Sequence, residues 1–290
     1  MTRPARIFDV HSHWGTRRGY PFQTPEELAQ QERVFRSIPR YVTEAEMAEH
    51  FRALGVRAIL DLGVRAPAPR EEVQALHDYA LDTQRRYPDV IFGNWFHVDP
   101  RTGRDAVEEL ARCLARRAGF VGLAVPGAGF NVAASDPAYK PLYELCVEAR
   151  VPVLIMVGTT GLGAGRPGGA GVRLEFSHPR HVDEVAASFP ELTIVASRPA
   201  WPWQSEMIAV LLHKPNVWYE LHGWSPRYFT AELKAEIRGR LQDRVMFGAD
   251  YPLFTYERLL ADWQAEGYPD PVLDKIFYRN AERLFGVSGS

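Results

Sequence analysis

"RAILDLGV" (57–64), "EEVQALHDYALDTQRRY" (71–87) and "VIFGNWFHV" (90–98) follow one another with little between them. The first and third are short runs rich in aliphatic and aromatic residues, as a strand covered on both faces requires. The middle one places Val73, Leu76, Ala80 and Leu81 at helical intervals. Strand, helix, strand in this order spells a crossover unit, and such a crossover makes the two strands parallel. Working outward, the rhythm recurs in "RIFDVHSH" (6–13), "GFVGLAV" (119–125), "VPVLIMVG" (151–158), "LTIVAS" (192–197), "NVWYELHG" (216–223) and "RVMFGAD" (244–250). Helical stretches such as "PAYKPLYELCVEAR" (137–150) stand between them. Eight such units in 290 residues predict a closed (β/α)8 TIM barrel, one domain over residues 1–290.

Composition sets outer bounds. Hydrophobic residues make up 46% and charged residues 24%, the proportions of an ordinary globular chain. A net charge of −2 with scattered arginines argues against nucleic acid as a partner. No apolar run is long enough to span a bilayer, and "MTRPARIFDVHSH" (1–13) lacks the apolar segment of a secretory leader. A cytoplasmic location is the expectation. Cys113 and Cys146 stand among Leu, Ala and Val and are expected to be reduced packing residues.

In a barrel of this kind the working residues lie at the C-terminal ends of the strands. That rule selects His11 and His13 on the first run, His97 on the third, Met156 on the fifth, Arg198 after the sixth, Glu220 and His222 on the seventh and Asp250 on the eighth. Alternate strand residues share a face, so His11 and His13 project together about 7 Å apart and could converge on one ion. Asp250 reaches the same end from the last strand, where it would share their ligand or activate a water. Its plainer role is to start the turn before a helix near Thr255. Of Glu220 and His222, one lines the site or both are structural. His97 reads as a satisfied core or rim residue, and His178 and His181 open a helix that Ser177 caps. Trp14, Trp95, Trp201, Trp203, Trp224, Tyr251 and Phe254 lie near strand ends and suit the walls of a cavity for a flat cyclic or aromatic molecule. Trp201 and Trp224 are taken as substrate-binding, together with Met156, Arg198, Glu220 and His222.

"VGTTGLGAGRPGGAG" (157–171) follows the fifth run with seven glycines. It contains Gly163-x-Gly165-x-x-Gly168 by letter, but Pro167 and the glycines beyond prevent the helix that a dinucleotide site needs. A lid and an inert connection both remain open.

"DVHSHWG" (9–15), "ARVPVLIMVG" (149–158), "HPRHVDEVAASFPELTIVA" (178–196), "FGADYP" (247–252) and "NAERLFG" (280–286) resemble the amidohydrolase-related family of aminocarboxymuconate-semialdehyde decarboxylase, resorcylate decarboxylases and certain lactone hydrolases. The resemblance covers nearly the whole chain. It implies a mononuclear metal held by the HxH pair, by histidines after strands five and six, and by the final Asp. His11, His13 and Asp250 match that set, whereas Met156 and Arg198 stand in the two other positions. A thioether is a poor ligand for such an ion and a guanidinium is none. The first reading is therefore a hydrolase of a small, cyclic or aromatic carboxylate with a lactone-like bond, with no metal or one weakly bound zinc or manganese ion. In it Asp250 is the general base, His11 and His13 polarise a carbonyl, and Arg198 clamps a carboxylate or oxyanion. The second is a zinc- or manganese-dependent decarboxylase of an aromatic or muconate-type acid, with the metal on His11, His13 and Asp250 and His222 completing the set. The third is a non-catalytic binder of small carboxylates. A homodimer fits the resemblance.

Overall fold

All eight strand-like runs form strands: β1 (Ile7–His13), β2 (Val56–Asp61), β3 (Ile91–Phe96), β4 (Phe120–Val125), β5 (Val153–Met156), β6 (Ile194–Ser197), β7 (Val217–Glu220) and β8 (Val245–Met246). The computed structural model describes residues 6–20, 22, 24–37, 39–64, 66–116 and 119–287; residues 1–5, read above for a leader, lie outside that set. The strands pair in parallel in chain order as one eight-stranded sheet. Around it run α1 (Pro25–Phe35), α2 (Glu44–Leu54), α3 (Arg70–Arg86), α4 (Arg104–Ala115), α5 (Lys140–Ala149), α6 (Arg180–Ser188), α7 (Gln204–His213), α8 (Ala231–Arg238), α9 (Tyr256–Ala265), α10 (Asp270–Asp274) and α11 (Asn280–Leu284). This is the single-domain (β/α)8 TIM barrel that the spacing predicts.

Closure depends on the segment after β8. The run at 244–250 yields only two residues of strand, and the backbone turns left-handed at Asp250 (φ 59°). Gly248 sits so close to β7 that a Cβ there would lie 2.5 Å from Glu220 Oε2 and 2.7 Å from His222 Cβ. Residues beyond β8 nevertheless close the barrel: Val10 N donates to Phe247 O (2.9 Å), Asp250 N to His11 O (3.0 Å) and His13 N to Tyr251 O (2.7 Å). Asp9 reinforces this seam. Its carboxylate accepts from Tyr256 OH (2.6 Å), Ser12 Oγ (2.5 Å), Ala249 N (3.2 Å) and His11 N (3.0 Å).

Phe8, Val10, Ile59, Trp95, Leu154, Met156, Val195 and Met246 fill the inside of the barrel. Each such side chain stabilises the fold by about 1.5–3 kcal/mol relative to exposure. Period-two alternation from these residues puts Asp61, His97, Ser197, Glu220 and Asp250 on the inner side at the C-terminal ends. On β1 the same alternation selects Ser12 rather than His11. The register slips between Asp9 and Ser12, and that slip turns His11 and His13 inward.

Two local expectations are corrected. Ser177 does not cap the helix after it: α6 begins at Arg180 without a side-chain cap, and Ser177 Oγ instead accepts from Ala128 N (3.0 Å). Trp14 and Trp95 are fully buried, the first against Tyr79 and the second inside the barrel with Nε1 donating to Val10 O (2.9 Å), so neither walls a cavity. Thr255 does cap α9, accepting from Arg258 N. Cys113 and Cys146 are free and buried. Among the described residues no helix is long and apolar enough to cross a membrane.

Candidate active site

His11, His13 and Asp250 meet at the C-terminal mouth, with ligating atoms all within 4.8 Å of one another. The two imidazoles stand edge to face at 5.3 Å. His13 Nε2 faces Asp250 Oδ1 at 3.3 Å, and its Nδ1 lies 3.3 Å from Asp61 O. Burial disfavours charge on both partners, but their mutual hydrogen bond and charge outweigh it. His13 is raised above the usual imidazole range, and Asp250 is brought down to about 2, helped by His222 and Arg198. Both shifts favour the charged forms, an imidazolium facing a carboxylate.

His11 is different. It is wholly buried, stacked on His222 at 3.7 Å, and neither ring nitrogen has a hydrogen-bond partner. Carboxylates stand nearby without bonding geometry, Asp61 Oδ2 at 3.3 Å from Nε2 and Glu220 Oε1 at 3.8 Å from Nδ1. Burial, then the neighbouring imidazoles and Arg198, push its pKa far down, so it stays neutral. An uncharged imidazole buried with both nitrogens idle is costly, and a ligand would relieve that cost.

Around this trio lies a saturated shell. Glu220 accepts from His222 Nδ1, from His222 N (3.0 Å) and from Ser197 Oγ, and it is completely buried. With Nδ1 so engaged, His222 presents Nε2 as an acceptor, and Arg198 Nε donates to it at 3.0 Å. Arg198 NH1 also donates to Thr159 O (3.1 Å). Both lone-pair and proton positions of His222 are thus used, so it cannot complete a metal set without releasing Arg198. Arg198 and Asp250 are held at positive φ (81° and 59°), a strain on the order of 1–3 kcal/mol each that is typical of functional loops. Met156 is buried beneath them, its sulfur 3.4 Å from Ser197 Oγ.

The mouth is aromatic. Trp201 is half exposed and lies 5.8 Å from Trp224, which in turn meets Tyr228 at 6.5 Å. Trp203 packs on His178 at 4.7 Å. The glycine-rich loop lies against α1, with Gln30 Nε2 donating to Ala164 O (2.9 Å). Three buried participants escaped the sequence reading. Asp61 binds His97 Nε2 and faces His11, so His97, buried as a core residue, joins the site's carboxylate network through Asp61. The strand-end rule would have found Asp61, the last residue of β2. Tyr20 sets its ring against His13 at 5.9 Å and accepts from Gln31 Nε2 (2.9 Å), and no sequence signal marks it. Ser197 becomes visible only through its partner Glu220.

For a divalent ion, His11, His13 and Asp250 are donors of the right type and supply three ligands. Met156 and the Arg198 guanidinium at the neighbouring strand ends supply none.

These features define a (β/α)8 barrel with a cluster of histidine, acid and arginine at the C-terminal ends of its strands. The chain belongs to the amidohydrolase family, whose profile (Amidohydro_2, Amidohydrolase) matches residues 8–287. Among solved structures it is similar to an uncharacterized TIM-barrel protein from Bordetella bronchiseptica (20% identity, 97% and 98% of the two chains covered, TM-score 0.75). It is also similar to 5-carboxyvanillate decarboxylase from Novosphingobium aromaticivorans, complexed with manganese and a nitrobenzoic acid (17%, 99% and 100%, 0.71). A third is a probable 2-pyrone-4,6-dicarboxylic acid hydrolase from Acinetobacter baumannii with citric acid bound (16%, 97% and 99%, 0.64). No curated protein sequence matches the chain.

Proposed function

We propose that this amidohydrolase-family chain is a hydrolase of a small cyclic or aromatic carboxylate with a lactone-like bond, working without a tightly held metal. The observation that carries this reading is the Arg198 Nε to His222 Nε2 bond at 3.0 Å. It consumes the acceptor nitrogen of His222, the imidazole stacked on His11, and fixes a permanent cation beside the trio. A guanidinium in that place binds a carboxylate through two parallel hydrogen bonds or stabilises an oxyanion. Asp250, ionised and facing the cavity, takes a proton from water as the water oxygen adds to the acyl carbon. Neutral His11 donates to the carbonyl oxygen as charge develops there. When the C–O bond breaks, protonated His13 supplies the proton to the leaving oxygen. The hydrolase from Acinetobacter among the similar structures acts on a pyrone dicarboxylate by its name, which supports the substrate class.

A second reading has its own observation. The ligating atoms of His11, His13 and Asp250 lie within 4.8 Å, and the manganese-bearing decarboxylase is among the similar structures. In a decarboxylase these three residues would hold a zinc or manganese ion, which would supply Lewis acidity toward the carboxylate and its neighbouring oxygen. One assay separates the readings: carboxylated lactones and hydroxybenzoates are offered in turn while proton release and carbon dioxide are followed together. Proton release from a lactone without carbon dioxide supports hydrolysis, whereas carbon dioxide from a hydroxybenzoate would replace it with decarboxylation.

A further inference from the structure

At the opposite end of the barrel, where β1, β2 and β3 begin, a cleft of about 330 Å³ opens beside α11. Three arginines line it, and two are spoken for. Arg6 forks onto Glu282, with NH1 to Oε1 at 2.9 Å and NH2 to Oε2 at 3.2 Å. Arg52 forks onto Asp89, with Nε to Oδ2 at 2.5 Å and NH2 to Oδ1 at 3.0 Å. Arg57 has no such partner among the described residues. Its guanidinium lies over the Phe92 ring at 4.7 Å, and its Nε is buried without a hydrogen-bond acceptor.

Arg57 is half-buried, its guanidinium has no carboxylate partner among the described residues, and the planar fork matches the two oxygens of a carboxylate. Three guanidiniums against two carboxylates leave one positive charge in the cleft, which suits a monoanion better than a dianion. The remaining walls, including Ile7, Val56, Val90 and Tyr278, are apolar and would cover a carbon skeleton. We propose that this cleft binds a small monocarboxylate with an apolar body, held by Arg57 and separate from the site at the other ends of the strands.

Benzoate is the probe, titrated calorimetrically into the wild type, Arg198→Met, Arg57→Met and Arg57→Lys. The Arg198 variant weakens anion binding at the active site, so the event that survives in it belongs elsewhere. Expected is a binding event retained in Arg198→Met, absent in Arg57→Met, and weakened at least about tenfold in Arg57→Lys, which keeps the charge but loses the fork. Without benzoate, Arg57→Met should melt no lower than the wild type, since the variant loses no ion pair among the described residues and removes a buried Nε that has no acceptor. Inorganic phosphate at matched ionic strength should bind at least about tenfold more weakly than benzoate. No event in Arg198→Met, an event surviving in Arg57→Met, or phosphate binding as tightly as benzoate would each overturn the proposal.

Discussion

Among the described residues two regions of this barrel gather histidine and acid into knots with ligating atoms within 4.8 Å of one another. One is His11, His13 and Asp250 at the mouth, where a second such group, His11, Glu220 and His222, shares His11 with it. The other is His77, Glu109 and Cys113, between α3 and α4. In the second, Glu109 accepts from His77 Nδ1 (2.8 Å), Gln74 Nε2 (2.9 Å), and Arg112 Nε and NH2 (both 2.7 Å), while His77 stacks on Phe96 at 4.3 Å. The Cys113 thiol donates to the same carboxylate at 3.4 Å, so its acceptor positions are filled. At the mouth His11 has no partner at all, and a guanidinium stands where the resembling family supplies a histidine. Similar residues thus make a brace in one place and an unfinished cavity in the other. What separates them is how far their hydrogen bonds close: Glu109 is saturated and His77 leaves only Nε2 without a partner, whereas both ring nitrogens of His11 are without one.

The sharpest way to break this contrast is to change one acid in each knot. Asp250→Asn keeps shape but cannot take a proton or act as an anion, so turnover should fall by about 10² to 10⁴-fold with the melting temperature nearly unchanged. Activity within a few-fold of the parent would remove Asp250 from the mechanism. Glu109→Gln should do the reverse: it strands Arg112 and His77 and costs about 3 kcal/mol, read as a lower denaturant midpoint, with kcat preserved in the protein that remains folded. Loss of activity without loss of stability would give the helical knot a role in the reaction.

Smaller effects sharpen the same contrast. Arg198→Lys keeps the charge but not the fork, so kcat/KM should fall about tenfold or more, chiefly through KM, with little change in melting. A lowered melting temperature with unchanged KM would make Arg198 a brace like Arg112. The helical knot also has a pH signature. Burial opposes ionisation of Glu109, but hydrogen bonds from His77, Arg112 and Gln74 outweigh it and hold its pKa below the ordinary 4.5. Burial holds His77 below its ordinary 6.5 despite Glu109. Both groups bind protons more readily when unfolded, so their stabilisation is present above pH 6.5, declines as the pH falls past that value, and declines further below 4.5. Thermal melts below pH 4.5 should show a shallower acid limb in Glu109→Gln than in the wild type, since the carboxylate that takes up a proton on acid unfolding is gone.

The barrel was legible because its signal is repeated: alternation of strand-like and helical periods needs no single residue to be right. Most of the mouth was legible too, since the strand-end rule picks out Arg198, Glu220, His222 and Asp250 directly. Two things were hidden. The register slip between Asp9 and Ser12 decides which face His11 takes, and it depends on how β1 meets β2 and on the bonds that Asp9 makes across the seam. The saturation of His222 depends on a contact between loops after β6 and β7, which pairs Arg198 with a residue 24 positions away. The same contact is what the proposal of metal-free chemistry rests on.

That turn is tested most directly by elemental analysis of the protein purified without added metal. Met156 and Arg198 remove two ligands and add a repelling charge, so zinc and manganese together should amount to well below one ion per chain. A full equivalent of tightly held zinc or manganese would contradict it and make His11, His13 and Asp250 the ligands of a metal enzyme.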